Sequence, residues 1–106
     1  MSSPEPHPTS GLDDTVHQRA RLGILTILDE SDRADFAYLK KVLGLTDGNL
    51  GRHLEVLGSQ DLVALEKVFE GRRPRTWVSI TPAGRRSLAT EIAALRALVR
   101  RFDASR

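Results

Sequence analysis

Cysteine is absent from this 106-residue chain, which excludes disulfides, thiolate metal sites and thiol redox switching and fits a reducing, cytoplasmic setting. No run approaches the about eighteen apolar residues that a bilayer-crossing helix needs, so no membrane partner is expected. Met1–Ser10 is rich in Pro and Ser and has neither a basic opening nor an apolar run, so no secretory signal is read there. The three histidines, His7, His17 and His53, are too scattered for a local metal motif, and no thiolate can join them; no metal is expected. There is no phosphate-cradling glycine loop, no metal-ligand cluster and no nucleophile beside a base. Asp and Glu read as scattered over solvent faces. The chain is therefore not read as an enzyme, and no cofactor is expected.

What remains is one compact domain with a modest core. Its net charge is only +2, but the charge is unevenly spread. Met1–Glu30 holds two basic and five acidic residues, Ser31–Glu66 four and six, and Lys67–Arg106 ten and three. So lopsided a chain suggests that its C-terminal part meets a polyanion, although a solubilising helix surface accounts for about half of those charges.

Residues 1–11 hold Pro4, Pro6 and Pro8 and almost nothing to bury, and read as a flexible tail. Asp13 or Asp14 can cap a helix whose apolar face is Val16, Ala20, Ile24, Ile27 and Leu28, ending near Asp29–Asp32. A second helix starts after Asp35, with Phe36, Leu39 and Leu43 as its stripe, Lys40 and Lys41 facing water, and Gly44 at its C-terminal cap. Thr46 then caps a third helix, buried through Leu50, Leu54 and Leu57. Two short helices joined by a tight glycine-bearing turn read as helix-turn-helix.

The period then changes to that of strands. Leu62–Phe69 places Val63, Leu65 and Phe69 at alternate positions, Glu70–Arg75 reads as a turn, and Thr76–Ile80 as a second strand with Val78 and Ile80 on one face. Thr81-Pro82 starts a last helix that runs to about Phe102. The fold class expected is α+β, mostly α: a winged helix-turn-helix with a three-helix core, a β-hairpin wing and a long C-terminal helix. The expected division is a tail at 1–11, a DNA-binding domain at 12–81, and a dimerisation helix at 82–106 packed on that domain.

With the leucines of the third helix turned inward, Gly48, Asn49 and Arg52 occupy the N-terminal half of its outer face. Small residues admit a groove floor, and Asn and Arg suit adenine and guanine edges. A polar solvated face would look the same. The hairpin adds Arg72, Arg73 and Arg75 within four residues, with only Glu70 adjacent to pair with them; such a tip suits phosphates or a minor groove. Lys67, Arg85 and Arg86 could extend this footprint. His53 either donates to a phosphate or packs at the core's edge. Trp77 alternates with inward Val78 and Ile80, which puts it on the outer face, packed at the base of the hairpin or on a partner subunit.

The runs LGLTDGNLGRHLEVL (Leu43–Leu57), FEGRRPRTWVSIT (Phe69–Thr81) and TPAGR (Thr81–Arg85) resemble short winged-helix transcriptional regulators of the MarR/ArsR-like kind. The similarity runs from near Leu12 into the last helix. The resemblance implies a third helix that recognises an operator in double-stranded DNA, with Arg72–Arg75 as wing tip, a homodimer, and control of transcription. The DNA-binding set so assembled is Thr46, Gly48, Asn49, Arg52, His53, Arg72, Arg73 and Arg75. Two positions depart from the family: Gly51 stands where a Ser-like residue is usual, and Asp61 where glycine tends to precede the first wing strand.

Leu88, Ile92, Leu95, Val99 and Phe102 form a heptad seam, broadened by Leu98. A helix of about twenty residues spans roughly 30 Å, long for so small a core. Its distal stripe calls for a partner, and a second copy of the chain is expected to cover it. The expected function is thus a dimeric, sequence-specific DNA-binding repressor, nucleoid-associated. The competing expectation is a protein-interaction module whose basic wing grips an acidic partner. No small-molecule effector site is evident; a dimer interface could create one.

Overall fold

In the computed structural model, which describes residues 4–106, five helices and a small sheet surround one apolar centre. The helices are α1 (Asp14–His17), α2 (Arg19–Asp29), α3 (Phe36–Leu43), α4 (Asp47–Ser59) and α5 (Pro82–Ala104). The strands are β1 (Ala34–Asp35), β2 (Val63–Glu70) and β3 (Arg73–Ile80), antiparallel in the order β1-β3-β2. This is the expected winged helix-turn-helix. The core gathers Val16, Ile24, Leu25 and Leu28 from the first two helices, Leu39 from α3, and Leu50, Leu54 and Leu57 from α4. Val63, Val78, Ile80 and Leu88 close it from the sheet and α5.

Local chemistry sets most boundaries. Asp35 accepts the Tyr38 N–H at 2.7 Å and so caps α3, as Thr46 caps α4 through the Asn49 N–H at 3.1 Å. Gly44 ends α3 with φ 64°, its N–H reaching the Lys41 carbonyl while Leu45 N–H reaches that of Lys40, the Schellman pattern. The same pattern ends α4: Asp61 N–H bonds Gly58 and Leu62 N–H bonds Leu57. There the left-handed residue is Asp61, with φ 60°, at the position noted for lacking glycine.

Several expectations are corrected. The first helix is two, broken at Gln18, whose ψ of 132° is non-helical and whose side chain caps α2 through the Arg21 N–H. β1 leaves no signal in the sequence, since two residues are too few for a period to show. The turn is shorter than Glu70–Arg75, because β2 extends to Glu70 and β3 begins at Arg73, leaving only Gly71 and Arg72. Gly71 has φ 65° at the first central position, as a type II′ turn demands. Pro74 survives in the strand because it pairs with Phe69, next to the hydrogen-bonded pair that closes the turn. By ladder alternation its missing N–H would point away from β2, where β1 does not reach.

The tail region also contains more order than its composition suggests. Pro8–Gly11 forms a 3-10 turn against α5, with a hydrogen at Gly11 where a Cβ would stand 3.2 Å from Ala94 Cβ. Residues 1–3 of that expected tail lie outside the described residues. Nor are all carboxylates on solvent faces. Glu91 on α5 is 1% exposed and accepts hydrogen bonds from the Asp13 N–H at 3.1 Å and from His17 Nδ1 at 2.5 Å. Among the described residues no helix is long and apolar enough to cross a membrane.

Candidate nucleic-acid interface

The helix-turn-helix half of the candidate surface begins with α4. Leu50, Leu54 and Leu57 enter the core, which leaves Thr46, Gly48, Asn49 and Arg52 exposed. Thr46 spends its hydroxyl as an acceptor in capping the helix. No neighbouring atom lies within 4 Å of where a Cβ on Gly48, Gly51 or Gly58 would stand, so nothing inside the chain requires glycine at these helical sites. Asp47, the one carboxylate in the first turn, is held by Lys40 at 2.9 Å.

His53 stands half-buried beside this face, with Nδ1 shielded and unbonded among the described residues. Burial, reinforced by the charges of Arg21 and Arg52, pushes its imidazole below the ordinary histidine value. In the free chain the ring therefore favours the neutral form.

The wing half differs from expectation in one residue. Arg75 is not a free tip cation: its guanidinium reaches Glu70 at 3.2 Å and Asp35 at 3.7 Å. It also lies 5.2 Å from the centre of the Trp77 ring, over which Arg33 stands at 3.8 Å. The cause is register. Asp35 pairs with Trp77 and Glu70 with Arg73, so strand pairing sets Asp35, Glu70, Arg75 and Trp77 on one face of the sheet. Sequence spacing shows Glu70 but hides Asp35, which β1 delivers from forty residues earlier in the chain. Trp77 thus packs at the base of the hairpin.

Arg72 and Arg73 remain exposed at the turn, with no carboxylate within 4 Å among the described residues. Lys67 is exposed in the same way. Arg85 and Arg86 are both exposed, Arg85 paired with Asp29 at 2.6 Å.

The seam on α5 divides. Leu88 is 5% exposed within the chain's own core, with Ile92 packed against it. Leu88 is therefore withdrawn from the expected dimer surface; the proximal part of the helix is needed to close the core above β3. Leu95 and Leu98 are half-buried, while Val99 and Phe102 are 58% and 57% exposed. The apolar stripe free for a partner is the distal one.

A protein-family model described as a winged helix DNA-binding domain matches residues 20–99. The chain belongs to that family. It is a family of DNA-binding domains rather than of enzymes, in keeping with the reading of the sequence. A transcriptional regulator homologue from Pyrococcus horikoshii is 37% identical and superposes with a TM-score of 0.78, over 84% of this chain and 88% of that one. An uncharacterized protein from Methanocaldococcus jannaschii is 40% identical over 65 residues, 61% of this chain and 71% of its own length. The Mycobacterium tuberculosis regulator MOSR, solved in complex with DNA, shares the fold: TM-score 0.70 and 20% identity over 93% of this chain and 71% of that one.

Proposed function

We propose that this chain is a transcriptional regulator that binds operator DNA as a homodimer and represses by occluding a promoter in the cytoplasm. The observation that carries the reading is the exposed Gly48, Asn49 and Arg52 face at the start of α4, followed along the chain by a wing tip with free Arg72 and Arg73. The first set suits base edges in a major groove; the second suits phosphates or a minor groove. Membership of a DNA-binding family and a structural likeness to a regulator solved on DNA support it. Thr46 and His53 flank the face, and Arg75 serves it indirectly by stiffening the hairpin.

The distal stripe of Leu95, Leu98, Val99 and Phe102 supplies the contact between two copies, with two α4 helices then addressing half-sites about one helical turn apart. The test is titration of the chain with random and genomic duplex DNA at several salt concentrations. Affinity falls steeply as salt rises, because bound phosphates release counterions. Replacing Arg72 and Arg73 together flattens the logarithmic salt slope by about 2. An unchanged slope in that double variant removes the wing from the interface. Val99→Asp with Phe102→Asp yields a monomer in sedimentation; a dimer that survives both changes places the contact elsewhere.

A further inference from the structure

Phe69 is the most exposed of the large apolar residues among those described, at 69%. A lone exposed apolar side chain asks for no explanation, but the surroundings of this one are unusual. The strand register sorts the hairpin into two chemically different faces. Val63, Leu65, Lys67 and Phe69 pair with Ile80, Val78, Thr76 and Pro74, and so share one face. Both carboxylates of the strands β2 and β3, Glu66 and Glu70, lie on the opposite face, with Arg73, Arg75 and Trp77. The Phe69 face holds only apolar, hydroxyl and cationic groups.

That face is also the one through which Val63, Val78 and Ile80 enter the core, so its outer half overhangs on the side where the helices lie. A cleft of about 450 Å³ lies between the hairpin and the start of α3, walled by Phe36, Ala37, Lys67, Pro74 and Thr76. From the other face of the hairpin it is walled by Arg73 and by Asp35 and Glu70, the two carboxylates that Arg75 pairs with; Phe69 lies outside that wall. Phe69 and Pro74 form a directly opposed pair in which ladder alternation brings side chains close. Together they make an apolar plate immediately behind the Gly71–Arg72 turn. Lys67 and Arg72 flank it without carboxylate partners among the described residues.

We propose that this plate packs on the deoxyribose wall of a DNA minor groove while the cations around it hold the phosphates on either side. A sugar–phosphate strand alternates apolar sugar and anionic phosphate, and this edge alternates apolar plate and free cation in the same way. A second protein surface that wanted Phe69 would have to supply acidic groups around an apolar pocket; duplex DNA supplies that pattern at every nucleotide. The inference rests on the DNA-binding reading above and adds an apolar contact to its cationic ones.

The two kinds of contact separate by salt. Truncating a cation changes both affinity and the salt slope, whereas truncating an apolar plate lowers affinity at every salt concentration alike. The experiment is a titration of random-sequence duplex with the wild-type chain, Phe69→Ala, Phe69→Tyr and the Arg72→Ala/Arg73→Ala pair. Phe69→Ala binds about tenfold more weakly with an unaltered slope, and Phe69→Tyr, which keeps the ring, stays near wild type. Phe69 is exposed, so the fold tolerates all of these changes; melting curves check this.

Equal binding by Phe69→Ala and wild type overturns the proposal while leaving the DNA reading intact. So does an altered slope, or a changed sedimentation state without DNA, which assigns Phe69 to contacts between copies. Failure of the wild-type chain to bind duplex at low salt overturns the DNA reading itself and this inference with it.

Discussion

Nδ1 of His17 lies 2.5 Å from Oε2 of Glu91, joining a half-exposed ring on α1 to a carboxylate that α5 carries into the interior. The same carboxylate accepts the Asp13 N–H, so one buried side chain anchors the whole N-terminal segment to the last helix. His17→Ala leaves Glu91 buried with a single donor, and is expected to cost about 2–4 kcal/mol in a denaturant titration. Glu91→Gln keeps one acceptor oxygen for the Asp13 N–H and turns its NH2 to His17 Nδ1, which accepts in its other tautomer, and so costs less. If His17→Ala matches wild type within error, the pair contributes only geometry.

Gly84 and Asp61 make a contrasting pair of backbone predictions. A Cβ on Gly84 would stand 2.1 Å from the carbonyl oxygen of Leu62, a backbone atom that cannot move aside. Gly84→Ala therefore shifts α5 off the sheet and destabilises by at least about 2 kcal/mol. Asp61 holds a left-handed conformation that glycine adopts freely. Asp61→Gly raises stability by a few tenths to about 1 kcal/mol, offset in part by the greater freedom of glycine in the unfolded chain. Thermal melts of the two variants should move in opposite directions.

Two open glycines of α4 allow stability and binding to be separated. Gly58 and Gly48 both have room for a methyl group, and alanine in either place raises helix propensity by up to about 1 kcal/mol. Gly58→Ala should therefore melt higher and bind duplex as wild type does. Gly48→Ala should melt no lower, yet bind about tenfold more weakly, because in the proposed DNA contact a methyl group at the front of α4 holds its backbone off the groove floor. Equal binding by the two variants would place the groove contact elsewhere on the helix.

His53 gives the fold a dependence on pH. Its folded-state value is lowered, so between that value and the ordinary 6.5 of an unfolded histidine the unfolded chain binds more protons than the native one. Stability is then complete above about pH 6.5 and declines as pH falls through the window beneath it. His53→Gln removes this contribution. The difference in melting temperature between pH 7.5 and pH 5.5 should be smaller in the variant than in wild type; an identical difference would show that His53 is accommodated equally well in both charge states.

The helix start after Asp35, the caps at Thr46 and Thr81, the glycine at position 44 and the outward Asn49 and Arg52 were legible from the chain itself. Each depends on residues within one or two turns of one another, where spacing and capping chemistry act directly. Other features depended on distant segments meeting. The second carboxylate on Arg75, Asp35, arrives on a two-residue strand, and the donors that satisfy the interior Glu91 come from His17 on α1 and from Asp13 just before it. The withdrawal of Leu88 into the core, and the gathering of both β2–β3 carboxylates away from Phe69, likewise followed from packing and register. Local sequence determined most of the helices, the hairpin and the capped helix ends. Tertiary structure decided which charges are spent inside the molecule and which are left for a partner, because an ion pair depends on distance in space and a heptad seam does not say how much of itself its own domain will cover.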